Sequence, residues 1–144
     1  MFVFFAYVFF DMNKTNKIEK KFLLDLNLQM TGVVKEVDKA TGFRGRGVID
    51  IKILNSNVDE YDPRNFSPIY YCIIKNGIAE VYDSNALYCD VGDTVLIDTK
   101  KKFFSYKNVL KLKQKYDMDI DGYGISVETN DDFYKYAKAH HQKF

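Results

Sequence analysis

Hydrophobic and polar residues alternate most clearly over residues 69–83, where two β-rich runs flank the dipeptide Asn76–Gly77. Both central residues of a type I′ turn need positive φ, and Asn-Gly is a dipeptide that tolerates this conformation. The pattern therefore predicts a β-hairpin in which a two-residue turn fixes the register of the two strands. The predicted core face comprises Tyr70, Cys72, Ile74, Ala79 and Val81, and the opposite, solvent face carries Lys75 and Glu80.

The segment 48–54 shows the same period of two, which is typical of a half-buried strand. Its three isoleucines at 49, 51 and 53 are predicted to face the core, while Asp50 and Lys52 are predicted to face solvent. A glycine-rich turn at 41–47 connects this segment to another β-rich run at 33–38. Together these runs predict a second pair of neighbouring strands.

Further strands are predicted after the hairpin. The turn at Gly92–Asp93 leads into a Val-rich strand at 94–97. Residues 103–113 show a weaker alternation, which predicts a sixth strand. Residues 55–68 are rich in Asn, Asp, Ser and Pro and are predicted to form a loop. Several short strands separated by turn signals at regular spacing are typical of an antiparallel barrel or sandwich.

Two helices are predicted at the ends of this sheet. Residues 15–29 place apolar residues on one face behind a cap at Thr15 or Asn16. Residues 130–141 follow Thr129 as a cap, with acidic residues in the first turn. The predicted fold is mainly β: a small antiparallel β-barrel, OB-like or SH3-like, with an N-terminal and a C-terminal helix. Residues 13–144 are predicted to form this single domain.

The first twelve residues are predicted to form a separate apolar segment. Residues 1–10 are apolar without interruption, Asp11 ends the run, and lysines follow from Lys14 onwards. Ten residues are too few to cross a bilayer, and neither a basic n-region nor a cleavage site is present. Three interpretations stay open: the end of a longer signal or membrane anchor, an extra piece before a true start at Met12, or a buried strand. The first favours a membrane-associated or extracytoplasmic protein.

Composition bounds the class of protein. The chain has 144 residues, 47% of them hydrophobic, with 21 basic and 20 acidic side chains. These values fit one globular domain and exclude a disordered chain. A net charge of +1 argues against bulk attraction to nucleic acid and leaves only a local basic patch to consider. Two cysteines exclude a dense disulfide scaffold and a four-thiolate zinc site.

One acidic segment has the spacing of a calcium loop. Residues 117–128 resemble the EF-hand pattern, with acids at alternate positions, Gly122 at the sixth position and an acid at the twelfth. The candidate Ca²⁺ ligands are Asp117, Asp119, Asp121 and Glu128. Carboxylates at this spacing supply the oxygen ligands that Ca²⁺ requires. The segment departs from the pattern at Ile120 and Gly124 and is present once, so a solvated acidic loop is the alternative.

The chain also segregates its charges. Residues 100–115 hold seven lysines and no acid, and residues 117–132 hold six acids and no Lys or Arg. Lysines interleaved with aromatic residues are typical of a groove for single-stranded nucleic acid. The candidate residues for such a groove are Arg44, Arg46, Lys100, Lys101, Lys102 and Phe103. The alternative is that the two blocks neutralise each other while the aromatic residues enter the core.

No pattern of catalytic residues is present. The sequence lacks a HExxH, a G-x-S-x-G, a Walker motif and a dinucleotide fingerprint. Cys72 and Cys89 either form a disulfide, if the protein is exported, or remain buried thiols. We therefore expect a non-catalytic binding or interaction module for an unidentified protein or ligand, with membrane contact through residues 1–10. A single-strand nucleic-acid-binding barrel and a calcium-binding loop are the alternatives, and no other cofactor is expected.

Overall fold

One antiparallel sheet dominates the computed structural model. The residues that the structure describes are 17, 21, 23–39, 46–106, 123–125, 127, 131–140 and 144. Within them the strands are β1 (Gln29–Asp38), β2 (Gly47–Ser56), β3 (Cys72–Lys75), β4 (Ile78–Asp83), β5 (Thr94–Asp98), β6 (Phe103–Tyr106) and the two-residue β7 (Tyr123–Gly124). Short 3-10 helices occupy Pro63–Asn65 and Ser84–Leu87, and one α-helix, α1, occupies Asp131–His140.

The strand order across the sheet is β3-β4-β2-β1-β5-β6-β7, and every pairing is antiparallel. The long central strand β1 pairs with β2 on one side and with β5 on the other. The prediction of a mainly β fold is confirmed. The edge strands β3 and β7 are not paired with each other, so the described sheet is not closed into a barrel.

The hairpin at Asn76–Gly77 has the predicted register. Asn76 and Gly77 have φ of 52° and 74°, as a type I′ turn requires. Lys75 lies opposite Ile78, and Cys72 lies opposite Val81. The local turn chemistry therefore fixes the pairing of β3 with β4, as the sequence predicts.

The inner face of the sheet carries the main core. It buries the side chains that alternate inward along the strands, such as Ile49, Ile51, Cys72 and Val81, each with no exposed surface. Strands towards both ends of the sheet contribute to this one cluster, for example β3 with Ile74 and β6 with Phe104. Burial of apolar surface contributes about 25 cal/mol per Å² to the free energy of folding, so this inner face is the main source of stability.

Gly32 lets β1 and β2 approach closely at the centre of the sheet. A Cβ added at this position would lie 2.3 Å from the Ile51 Cγ2 and 2.6 Å from the main-chain oxygen of Lys52. The register of β1 against β2 shifts beside it, between Thr31 and Gly32. A glycine inside a strand is typical of such an irregularity, because only hydrogen fits the space.

Helix α1 covers one half of the outer face of the sheet. Phe133, Tyr134 and Ala137 pack there against side chains of β2, β3 and β4 and form a second core cluster. The strand side chains of this cluster are Val48, Ile73 and Tyr82. We call this region the covered half; the outer face of β1, β5, β6 and the end of β2 that follows Lys52 is the open half.

Three predictions about the hairpin and β2 are wrong, two because α1 covers the outer face and one because the chain bends before β3. Asp50 and Glu80, predicted to face solvent, are 1% and 0% exposed and lie opposite each other on β2 and β4. Their face is the one on which Val48 and Tyr82 meet the helix. Tyr70, predicted to share the inner face with Cys72, belongs instead to the outer cluster, and Tyr71 takes the inner position. The chain bends at Tyr71, one residue before β3 begins, so the alternation does not extend back to Tyr70.

The predicted C-terminal helix is confirmed, and the predicted helix at 15–29 is described only in part. The described residues before β1 that are helical are 17, 21 and 23–26, with Leu23 and Leu26 buried. The helix stops earlier than predicted, because Asn27 adopts a φ of 43° and β1 begins at Gln29. Helix α1 lies within the predicted 130–141. Among the described residues no helix is both long and apolar enough to cross a membrane, and residues 1–10 lie outside the described part.

Candidate functional site

The open half of the outer face presents a row of side chains across four strands. The register places Asn55 beside Thr31, Thr31 beside Leu96, and Leu96 beside Ser105. Leu96 is 42% exposed although it lies on a strand in the middle of the sheet. An exposed leucine among uncharged polar groups on a rigid sheet is a surface that a ligand can cover without rearrangement of the protein.

A groove with a volume of about 470 Å³ runs over this row, at the end of the sheet where β1 begins. Its lining comes from β1, from the end of β2 with the residue that follows it, from β5 and from the β5–β6 turn. The side chains that line it are mainly amides, hydroxyls and one ion pair: Gln29, Thr31, Asn55, Ser56, Asn57, Asp98 and Lys101, together with Leu96. We call this surface the polar groove.

Hydrogen bonds fix the rim of the polar groove. The Asn57 Oδ1 accepts from the main-chain N–H of Gln29 at 2.7 Å, and the Asn57 Nδ2 donates to the main-chain oxygen of Asn27 at 2.7 Å. The Asp98 Oδ1 accepts from the main-chain N–H of Lys101 at 3.1 Å. These bonds hold the two ends of the groove in place and so preorganise it for binding.

Two polar side chains inside the polar groove are available to a ligand. The Thr31 hydroxyl and the Asn55 side-chain amide make no hydrogen bond within the described part of the chain. Their hydroxyl and amide lie beside each other on neighbouring strands. Between them they offer donors and acceptors of hydrogen bonds without a net charge. The groove is therefore suited to a ligand with uncharged polar groups next to a small apolar surface that contacts Leu96.

The covered half contains polar groups of a different kind, which bind each other. The Tyr82 hydroxyl donates to the Glu80 carboxylate, and the Tyr134 hydroxyl donates to the main-chain oxygen of Tyr70 at 2.8 Å. The Tyr134 oxygen also accepts from the main-chain N–H of Tyr70 at 3.2 Å. Burial, together with the nearby Glu80 carboxylate, raises the pKa of Tyr82 far above its ordinary value. The Tyr82 hydroxyl therefore serves to bind Glu80 within the fold.

A second buried network ends β4. The Asp83 carboxylate accepts from the Tyr71 hydroxyl at 2.7 Å and from the main-chain N–H of Asn85 at 2.8 Å. Burial raises the pKa of Asp83, and the hydrogen bonds from Asn85 and Tyr71 oppose that rise. The network caps the 3-10 helix Ser84–Leu87 and ties it to the core, which is a structural role.

Both cysteines are buried, free thiols. Burial raises the pKa of Cys72 well above its ordinary value and that of Cys89 to about 12. A thiol with a raised pKa and no exposed surface is a poor nucleophile. In this structure the two cysteines contribute apolar packing to the inner core.

The predicted nucleic-acid residues do not all lie together. Lys100, Lys101 and Lys102 form the turn between β5 and β6, and Phe103 begins β6. Lys101 lines the polar groove, and Phe103 lies opposite Asp98 beside it. Arg46 precedes β2 at the far end of β1, about 30 Å away along a ten-residue strand at about 3.3 Å per residue. Arg44 lies outside the described residues.

The candidate calcium ligands Asp117, Asp119, Asp121 and Glu128 all lie outside the described residues, so the calcium loop stays a prediction. Elsewhere in the described part of the chain, no group of three or more His, Cys, Asp or Glu side chains is arranged to hold a metal ion. His140 stacks on Tyr136 with ring centroids 4.5 Å apart, and its Nδ1 lies 2.9 Å from the main-chain oxygen of Tyr136.

Sequence reasoning missed most of the polar groove. Gln29, Asn55 and Asp98 come from three separate strands, and only the register brings them together. The one available signal was Leu96, an apolar residue at alternate positions with the polar Thr94 and Asp98 of one strand.

The comparisons with known proteins give no relative: no family model, no curated protein and no solved structure matches this chain. A proposal about its function therefore has to rest on the geometry of its own residues.

Proposed function

We propose that this protein is a non-catalytic binding module whose ligand surface is the polar groove. The observation that carries the proposal is the uncovered outer face, where Leu96 is 42% exposed between side chains that offer unused hydrogen-bonding groups. A surface of this kind combines a small apolar contact with a few placed polar groups, as ligand sites do. The absence of a catalytic motif from the sequence favours binding over catalysis.

The charges of the polar groove indicate a neutral ligand. Asp98 and Lys101 lie within 4.0 Å of each other and offset one another, while the other polar side chains of the lining are uncharged. Thr31 and Asn55 supply hydrogen bonds to such a ligand, and Leu96 contacts an apolar part of it. The ligand class is a compound with amide or hydroxyl groups on a partly apolar frame.

Isotope-labelled protein titrated with N-methylacetamide and, separately, with methyl glucoside tests the proposal by chemical-shift mapping. One probe supplies an amide and the other supplies hydroxyls. The expected result is that at least one probe shifts the amide signals of Thr31, Asn55 and Leu96, and that Asn55→Ala weakens the response. Asn76→Asp is a matched control, because Asn76 lies in the hairpin turn outside this groove. Absence of any shift at these residues with both probes would overturn the proposal.

A second candidate function, binding of single-stranded nucleic acid, is favoured by one observation. Lys101 lies on the rim of the polar groove, with its side chain 78% exposed, and Phe103 begins the next strand. An OB-like sheet binds oligonucleotides on such a face, with bases on aromatic rings and phosphates on basic side chains. In this proposal the groove carries the bases and the lysine turn carries the backbone.

Fluorescence anisotropy of a labelled thymidine oligonucleotide at low salt tests this candidate. A length of about four nucleotides, the lower end of the site size per OB-fold, fits one end of β1. Lys101→Gln and Phe103→Ala are expected to weaken binding, while Arg46→Gln, at the opposite end of β1, leaves it unchanged. No binding even at low salt, or equal losses in Arg46→Gln and Lys101→Gln, would reject this candidate.

We further propose that the apolar run at 1–10 associates the module with a membrane, either as a tether or as part of an export signal. The support is the sequence pattern alone: ten apolar residues followed by lysines. Fractionation of cells that express the full chain tests it, with Phe5→Asp and Phe9→Asp as the disrupting changes. Recovery of the unchanged chain in the membrane fraction, and of the double variant outside it, supports the proposal. Equal distribution of both proteins would contradict it.

A further inference from the structure

A second cavity, independent of the polar groove, lies at the border of the covered half. It has a volume of about 260 Å³ and separates helix α1 from the loop that follows the 3-10 helix Pro63–Asn65. Its lining comprises Arg64, Ser67, Pro68, Tyr70, Tyr134, Lys135 and Lys138. Two tyrosines and three cations therefore line one small space, and among the described residues no acidic side chain lines it.

The tyrosine wall of this cavity is rigid. The rings of Tyr70 and Tyr134 lie 4.8 Å apart, and the Tyr134 hydroxyl is held at both the main-chain N–H and the main-chain oxygen of Tyr70. Tyr134 and Tyr70 are only 7% and 8% exposed. A ligand ring would therefore meet a fixed aromatic surface without ordering any side chain.

Arg64 is fixed in place and still binds an oxygen of a distant residue. Its Nε and Nη2 donate to the two carboxylate oxygens of Asp62 at 2.7 and 2.6 Å. Its Nη1 donates to the main-chain oxygen of Phe144 at 2.7 Å. These bonds orient the guanidinium and use three of its five N–H groups, which leaves two for a ligand.

The two lysines of α1 add positive charge opposite Arg64. Lys135 has an exposed ion pair with Asp132 at 3.4 Å, which contributes little stability and gives way readily. Lys138 forms no ion pair within the described part of the chain. The positions at 134, 135 and 138 lie on neighbouring parts of one helix surface, so these ammonium groups reach the same cavity as the Tyr134 ring.

We propose that this cavity is a binding site for an anionic group carried on an aromatic body, such as an aromatic phosphate ester. The tyrosine wall takes the ring, and Arg64, Lys135 and Lys138 take the anion. The described residues of the lining include three cations and no acid. Asp62 and Asp132 pair with Arg64 and Lys135 from outside the lining, so Lys138 supplies the charge that favours an anionic ligand over a basic one. The site shares no lining residue with the polar groove, so the proposal stands or falls separately from the function proposed above.

Phenyl phosphate titrated into isotope-labelled full-length protein tests the site. The expected result is saturable shifts of the signals of Ser67, Tyr70 and Tyr134, with weaker binding of inorganic phosphate and of phenol, since each supplies only half of the ligand. Added salt should weaken binding of phenyl phosphate. Equal binding of phenol and phenyl phosphate would overturn the role of the anion, and absence of shifts at these residues would overturn the site.

Substitution of single lysines sharpens the test. Lys138→Gln is expected to weaken phenyl phosphate binding about fivefold, as expected for the loss of one exposed charge contact. Lys52→Gln is the matched control, because Lys52 on β2 is an exposed lysine, as Lys138 is, and does not line the cavity. Both side chains are exposed, so neither change should impair folding, which unfolding by urea verifies. Equal affinity of the two variants would overturn the proposal.

Discussion

Asp50 and Lys52 lie two residues apart on the same face of β2, yet their surroundings are opposite. Asp50 is 1% exposed, whereas Lys52 is exposed to solvent. The border between the covered half and the open half of the outer face runs between them. Alternation along a strand determines which face a side chain takes, but a separate element determines whether that face is dry.

The two halves also differ in how their polar groups are used. In the covered half, Tyr82 binds Glu80 and Tyr134 binds the main chain of Tyr70, so the hydroxyl groups serve the fold. In the open half, the side chains of Thr31 and Asn55 make no hydrogen bond within the described residues. Polar groups that the fold does not use are the ones that remain for a ligand.

The largest effect is expected when the helix loses its main apolar contact with the covered half. Phe133 is fully buried and its ring lies 6.1 Å from that of Tyr82. Phe133→Ala should lower the free energy of unfolding by about 3–5 kcal/mol, because it removes buried surface and leaves a cavity.

Leu96→Ala is the counterpart in the open half and should change stability by no more than about 0.5 kcal/mol, because Leu96 is already exposed. Unfolding by urea measures both variants. Similar losses in the two variants would show that the halves do not differ as described.

A smaller loss is expected when one hydroxyl is removed from each half. Tyr134→Phe leaves the main-chain N–H and oxygen of Tyr70 without their partner and should cost about 1–3 kcal/mol. Thr31→Val removes a hydroxyl that serves no bond in the described part of the fold and should be nearly neutral. The same unfolding measurement compares them, and a larger cost for Thr31→Val would reverse the assignment.

The smallest effect is expected in the dependence of stability on pH at the border of the covered half. Hydrogen bonds from Arg64 hold the pKa of Asp62 well below its ordinary value of 3.8. A carboxyl group with a lowered pKa in the folded protein stabilises it above pH 3.8 and loses that contribution as the pH falls further.

Asp62→Asn and Arg64→Gln should therefore each make the decline of stability below this pH shallower than in the unchanged protein. Urea unfolding over a series of acidic buffers measures the slope. An unchanged slope in both variants would exclude a contribution of this ion pair.

The sequence predicts local features of this fold better than distant ones. Asn76–Gly77 gives the hairpin with its register because the turn chemistry lies within two residues. The alternation of polar and apolar residues misplaces Asp50 and Glu80 in solvent. The residues that cover their face, Phe133 and Tyr134 of α1, lie more than 50 residues away in the sequence. Tyr70 is misplaced because the strand begins at Cys72, three residues after the start of the hydrophobic run at Ile69.

The candidate sites show the same limit. Lys101 and Phe103 could be singled out from a run of lysines next to aromatic residues, and they lie at the edge of the polar groove. Arg46 could not be excluded from that group by sequence, because its distance from Lys101 depends on how β1 pairs with β2 and β5. Gln29, Asn55 and Asp98 carry no spacing signal, since the groove forms only when three strands align.

Chemical labelling of introduced cysteines tests the division of the outer face most directly. The native thiols of Cys72 and Cys89 are buried, so the folded, unchanged protein should not react with Ellman's reagent until it is unfolded. Leu96→Cys is expected to add one rapidly reacting thiol, whereas Ala137→Cys, at a position 1% exposed on the sheet-facing side of α1, should react no faster than the unchanged protein. Equal reaction rates at positions 96 and 137 would contradict the claim that the helix seals one half of the face and leaves the other open.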